Sequence, residues 1–172
     1  LCALGSVRAA LNDRQRAIVL HRQALSIVQE LGDRHREAAV LGSLGTVHCL
    51  TGEVEMAAPM FEQQLDISIE IGDRHGQGLA RINLGEASIV KGDSRQAIEL
   101  LEQAFNITSQ LGDIRGQANS LFKLSLALEK YGDHKQAVAQ ARTALEFFET
   151  AQHPDAEKVR KQLADWGESF TG

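Results

Sequence analysis

The sequence predicts an all-α solenoid, a row of antiparallel helix pairs, and three observations carry that prediction. The same landmarks return every forty residues without insertion or deletion: Leu84-Gly85 falls on Leu44-Gly45 and Leu4-Gly5, and on Leu124-Ser125 further on. A glycine followed by Asp or Glu returns every twenty residues, at Gly32, Gly52, Gly72, Gly92, Gly112 and Gly132. Between these breaks lie helix-length amphipathic segments built on Ala, Leu and Ile, with one Trp, one Tyr and only two prolines to interrupt them. A fixed period of this size marks units that bury their apolar side only against their neighbours.

Taken in order, residues 1–11 read as the end of a helix that would begin before Leu1, which points to a fragment of a longer protein with apolar surface exposed at its truncated N-terminal end. Helices are then expected at about 14–31, 34–51, 54–71, 74–91, 94–111, 114–131 and 134–151. Each glycine stands where a helix ends in the left-handed region, and the acid after it stands at the next N-cap, where a carboxylate meets free N–H groups. Asn12-Asp13 takes that role at the first break, since Asn also tolerates the left-handed region. Two-residue breaks force consecutive helices to pack antiparallel. Within one helix, Ala97, Ile98, Leu101, Ala104, Phe105, Thr108 and Leu111 keep to one face. Ala97, with Ala17, Ala57 and Ala137 at the same register, and Gly45 with Gly5 and Gly85, let helix backbones approach closely. Pro59 lies past the first turn of its helix and is expected to bend it locally. From Pro154 to about 169 the repeat gives way to a helix with a single apolar stripe of Val159, Leu163 and Trp166, the pattern of a terminal cap. The domain reading is a four-repeat array over 1–153 and a capping helix with its tail over 154–172.

Charge and composition exclude several classes. The net charge is −5. Basic residues number six against four acidic ones in 1–52, four against eleven in 53–113, and eight against eight in 114–172. Six acids occupy predicted helix starts (Asp33, Glu53, Asp73, Asp93, Asp113 and Asp133), which explains much of the acidity, and nothing resembles a basic footprint for nucleic acid. Cys2 and Cys49 supply neither a disulfide framework nor metal-ligand spacing, so a reduced, cytoplasmic setting is expected. No apolar run is long enough to span a bilayer, and no signal peptide is expected.

At this point the residues match a family. Leu-Gly in the first helix, Gly at the turn, then Ala, a bulky residue and Ala in the second helix resemble the tetratricopeptide repeat. In 74–111 these are Leu84-Gly85, Gly92, Ala97, Leu101 and Ala104; in 34–71 they are Leu44-Gly45, Gly52, Ala57, Phe61 and Gln64. The common repeat has 34 residues. The forty-residue version is similar to Leu-Gly-Asn repeat polarity scaffolds and to the arrays attached to bacterial signal-transduction NTPases and regulators. The resemblance implies a right-handed superhelix of antiparallel pairs whose first helices line a concave groove for a peptide or protein partner. The Asn that precedes Leu-Gly in the polarity scaffolds is kept only as Asn83, with Ala3, Ser43 and Lys123 in its place elsewhere.

Carried over residue by residue, the groove would be lined by Asn83, Glu86 and Lys123, with Ser43, Thr46 and Ser6. Asn can hold an extended backbone through donor and acceptor, and Lys can pair a carboxylate. The bland reading is a solvated face. His35 and His75 share one repeat position with no further ligand at metal spacing and are read as surface histidines. His48 and Cys49 are adjacent in a helix and so do not face each other, which leaves His48 a packed or groove-wall role. Gly76-Gln77-Gly78 follows a helix rather than a strand and fails as a phosphate loop. No catalytic arrangement, metal site or cofactor is expected. The sequence thus reads as a non-catalytic protein–protein interaction scaffold for signalling, with a protein or peptide partner, no nucleic acid and no membrane; the truncated end would allow self-association. The alternative is a sensor or regulatory segment of a bacterial signalling NTPase or transcription regulator that receives a small ligand or partner.

Overall fold

Glycine-acid punctuation sets every helix boundary up to Gly132 in the described part of the chain. The computed structural model describes residues 14–168. Expectations for the truncated first helix, Cys2, Ser6 and the Asn12-Asp13 turn lie outside the described residues. Among those described there are eight helices: α1 Arg14–Glu30, α2 Arg34–Leu50, α3 Val54–Glu70, α4 Arg74–Lys91, α5 Ser94–Leu111, α6 Ile114–Tyr131, α7 His134–Thr150 and α8 Asp155–Asp165. The six turn glycines all adopt positive φ, between 66° and 100°. The acid that follows each one donates its backbone N–H to the carbonyl five residues back, as from Asp33 to Val28 at 3.0 Å and from Asp73 to Ser68 at 2.8 Å, which closes the Schellman motif.

The same acid then opens the next helix. Asp33, Asp73, Asp93, Asp113 and Asp133 each accept a hydrogen bond from the backbone N–H three residues on. Glu53 departs from the pattern and makes no side-chain cap. Its carboxylate, one methylene longer, turns back instead to His48 Nδ1 at 2.6 Å and accepts from Thr51 Oγ1 at 3.0 Å. These two contacts, His48 first, hold the Glu53 carboxyl below the usual carboxylate range. At the last break Gln152 stands in the glycine place and takes φ 50° itself, a conformation a side chain tolerates at some cost. α3 runs through Pro59 as a single helix. The last helix is shorter than the sequence suggests, ending at Asp165, because Gly167 at φ 82° terminates it.

The chain divides into two compact units, residues 1–87 and 88–172, with the break inside α4. In the first, α1 packs on α2 and α2 on α3. Gly45 carries the close approach there, because a Cβ at that position would lie 2.5 Å from Phe61 Cε1. In the second, α5, α6, α7 and α8 each pack on the next. One core runs through them, including Ala97, Leu101, Phe122, Phe148, Val159 and Leu163. Trp166 is half-buried at its edge, and Lys158 Nζ lies 5.7 Å from the centre of the Phe122 ring. Leu111, the last member of the expected α5 stripe, is exposed.

His21 occupies the register that Phe61 and Leu101 fill one and two repeats later. It is fully buried, and neither ring nitrogen has a partner among the described residues. Burial pushes its pKa down. A folded pKa below the unfolded value means that the folded state binds fewer protons, so this contribution to stability is complete above about pH 6.5 and is lost as pH falls through the histidine range. Urea melts at about pH 7.5 and about pH 5.5 should show wild type losing more stability on acidification than His21→Leu. Equal losses in the two proteins would contradict this account.

Candidate functional site

Helical spacing decides which residues of α2 and α4 share a face. Ala39, Ser43 and Thr46 step by four and three along α2, and Leu79, Asn83 and Glu86 do the same along α4, so each trio forms one stripe. The two stripes belong to the first unit and meet at their N-terminal ends, where Ala39 and Leu79 line one cavity. Ser43 and Asn83 are half-buried, while Thr46 and Glu86 are exposed. Ser43 Oγ donates to the Ala39 carbonyl at 2.9 Å and Thr46 Oγ1 to the Gly42 carbonyl at 2.9 Å. Both hydroxyl protons are thus spent on the helix, which leaves these side chains to act as acceptors. Lys123, the fifth expected groove residue, lies on α6 in the second unit and is half-buried.

The cavity has a volume of about 220 Å³ and lies between the start of α2, the end of α3 and the start of α4. Two polar side chains of α3 reach it, Gln64 at 2% exposure and Ser68 at 0%. Gln64 Oε1 and Ser68 Oγ have no hydrogen-bond partner among the described residues. Two glycines admit these side chains against the neighbouring helices: a Cβ on Gly42 would lie 2.6 Å from Gln64 Oε1, and a Cβ on Gly76 would lie 2.6 Å from Ser68 Oγ and would also meet Asp73 Oδ2. Asp73 Oδ1 is used by the α4 cap, accepting from the Gly76 N–H at 2.9 Å, and Oδ2 lies 3.7 Å from His35 Nε2. His35 and His75 are exposed, as the sequence predicts, and both line the cavity.

Sequence reasoning took Gln64 only as a repeat landmark and passed over Ser68. The signal was present in the repeat register: Gln64 stands where the other repeats have Ala24, Ala104 and Ala144, and Ser68 where they have Val28, Thr108 and Phe148. Among the described residues no group of His, Cys, Asp and Glu could hold a metal ion, and no helix is long and apolar enough to cross a membrane. His48 is buried and tied to Glu53, the packed rather than the groove-wall alternative, and Cys49 beside it is half-buried.

Comparison with known proteins gives a consistent family. The model of the family described as tetratricopeptide repeat matches residues 1–70, 36–107 and 76–150. No curated protein matches the sequence. Among solved structures, a Rap protein complexed with Competence and Sporulation Factor is similar at 17% identity and a TM-score of 0.82, covering 90% of this chain and 44% of that one. RapI in its apo form is similar at 18% identity and a TM-score of 0.81, over 92% of this chain and 58% of that one. A putative kinesin light chain of Podosopora anserina with nearly identical TPR-like repeats is similar at 21% identity and a TM-score of 0.76, over 95% of this chain and 81% of that one. This chain therefore spans less than two thirds of either Rap structure, and at these identities the likeness establishes the α-solenoid fold.

Proposed function

Because the chain belongs to the tetratricopeptide-repeat family, we propose that it is a non-catalytic protein–protein interaction module that holds a peptide or protein partner along the α2 and α4 stripes of its first unit. The observation that carries this reading is the meeting of the two stripes at one cavity. Together they offer apolar contact from Ala39 and Leu79, acceptors from Ser43 and Thr46, an amide from Asn83 and a carboxylate from Glu86. An amide both donates to and accepts from an extended backbone, which suits an elongated segment. Lys123, one repeat on from Asn83 in the sequence, is a separate proposed contact on the second unit, where its ammonium would pair a carboxylate. A cytoplasmic signalling role belongs to the same proposal. The test is direct once a partner is recovered by pull-down. Asn83→Ala combined with Glu86→Ala should weaken binding by about 1–3 kcal/mol with the helical content unchanged. Unchanged affinity would move the interface to the exposed face of α3.

A second reading is a regulatory segment of a larger bacterial signalling protein. It is favoured by the Rap structure, which holds a Competence and Sporulation Factor and of which this chain spans 44%. In that case the same stripes would receive a regulatory ligand rather than a scaffolded partner.

A further inference from the structure

Gln140 breaks the repeat pattern at its register. Its counterparts in α1, α3 and α5 are Leu20, Met60 and Leu100, all apolar and half-buried. In the first unit Met60 and Leu25 both pack on the cluster of Ala38, Leu41 and Ile67. Eighty residues on, the positions of Leu25, Leu41 and Met60 hold Phe105, Leu121 and Gln140. A thioether closes such a cluster well, being apolar and adaptable. A carboxamide of similar length cannot bury against leucine without losing its hydrogen bonds to water. In the second unit Phe105, Leu121 and Gln140 instead line a surface cavity of about 290 Å³, together with Glu102, Asn106 and Leu124. Its walls come from α5 and α7, the second helices of their pairs, and its base from α6.

The polar groups of this cavity are within reach of a ligand. Glu102 and Asn106 are exposed, and Gln140 is half-buried. Among the described residues the side chains of these three make no hydrogen bond or ion pair with the protein. Leu121 and Leu124 lie at the base with 3% and 5% exposure, so apolar contact falls chiefly to the half-buried Phe105 ring. The volume is below the range of about 300–1,000 Å³ usual for small-molecule sites, and it suits a single side chain. Asn106 on one wall and Gln140 on the other each offer donors and an acceptor, which match the N–H and C=O of an extended backbone. Glu102 stands one turn before Asn106, and α5 carries Glu99 and Glu102 against Arg95 alone. That charge favours a cation beside the apolar side chain. We propose that the cavity docks a partner's peptide segment in which an apolar residue neighbours a basic one. The apolar side chain lies against Phe105, the amides of Asn106 and Gln140 hold the backbone, and Glu102 pairs the basic group. This inference does not rest on the α2 and α4 stripes, which belong to the first unit.

The test is an NMR titration of the full chain that follows the side-chain amides of Asn106 and Gln140. The probe is acetyl-Lys-Leu-Lys-amide, which places a basic residue beside the leucine whichever way the backbone runs. Acetyl-Lys-Ala-Lys-amide shortens the apolar side chain, and acetyl-Glu-Leu-Glu-amide reverses the charge. Saturable shifts are expected with the first peptide, with binding of the other two weaker by about tenfold or more. Gln140→Met installs the residue that α3 carries; it should melt at or above the wild-type temperature and bind acetyl-Lys-Leu-Lys-amide about tenfold more weakly or worse. Glu102→Gln should remove the preference for lysine over glutamate. Asn83→Ala combined with Glu86→Ala should leave the titration unchanged, and a loss of binding there would place the peptide on the stripes and overturn the inference. No saturable shift at Asn106 or Gln140 would overturn it too, leaving the cavity to water. So would equal binding of the alanine peptide, which charge attraction alone explains, binding that survives Gln140→Met, or a lysine preference that persists in Glu102→Gln.

Discussion

Phe61→Ala should cost about 3–5 kcal/mol, the range for emptying a well-packed aromatic site. Phe61 is 2% exposed and packs against Gly45, whose missing side chain is what admits the ring. The contact can be approached from the other side. Gly45→Ala places a methyl 2.5 Å from Phe61 Cε1, a distance no stable contact keeps, so α2 and α3 must move apart at a cost of about 1–3 kcal/mol. In a Phe61→Leu background the same methyl meets a smaller side chain, and the penalty should shrink. Denaturant titrations of the four proteins measure this coupling, expected at about 0.5–3 kcal/mol. A Gly45→Ala variant as stable as wild type would mean that the Leu-Gly register is not the point of closest approach.

Removing residues 154–172 is the second large perturbation. Val159 and Leu163 are both 0% exposed, and they share a core with Phe148 at 1%. Burial of each side chain is worth about 1.5–3 kcal/mol, and their loss leaves the apolar side of α7 open to solvent. The shortened protein should therefore unfold at lower denaturant and self-associate in sedimentation experiments, as uncapped repeat arrays do. A monomeric product with an unchanged midpoint would show that α8 is not the proposed cap.

Helix number, order and ends were legible because each boundary is written twice, as a glycine that can take positive φ and as an aspartate that can cap. Glu53 shows the limit of that reading. It has the right charge at the right place, but its extra methylene and the neighbouring His48 redirect it. Gln152 shows another, since a non-glycine residue in the glycine register takes φ 50° and carries no signature of doing so. The stripes of α2 and α4 were also legible, because helical spacing alone groups Ser43 with Thr46 and Asn83 with Glu86. The cavity was not. It depends on Gln64 and Ser68 of α3 meeting the starts of α2 and α4, a contact between three helices that no single-helix pattern encodes. His35 and His75 were read correctly as exposed, yet their common repeat position concealed that both border that cavity.

The most direct test of the central claim, that a partner lies along the α2 and α4 stripes, is site-specific photo-crosslinking. A photoreactive residue replaces Thr46 on the stripe in one protein and Gln63 on the exposed face of α3 in another. With the partner bound, the proposed interface predicts a crosslink from position 46 and none from position 63. A crosslink from position 63 with none from position 46 would contradict it.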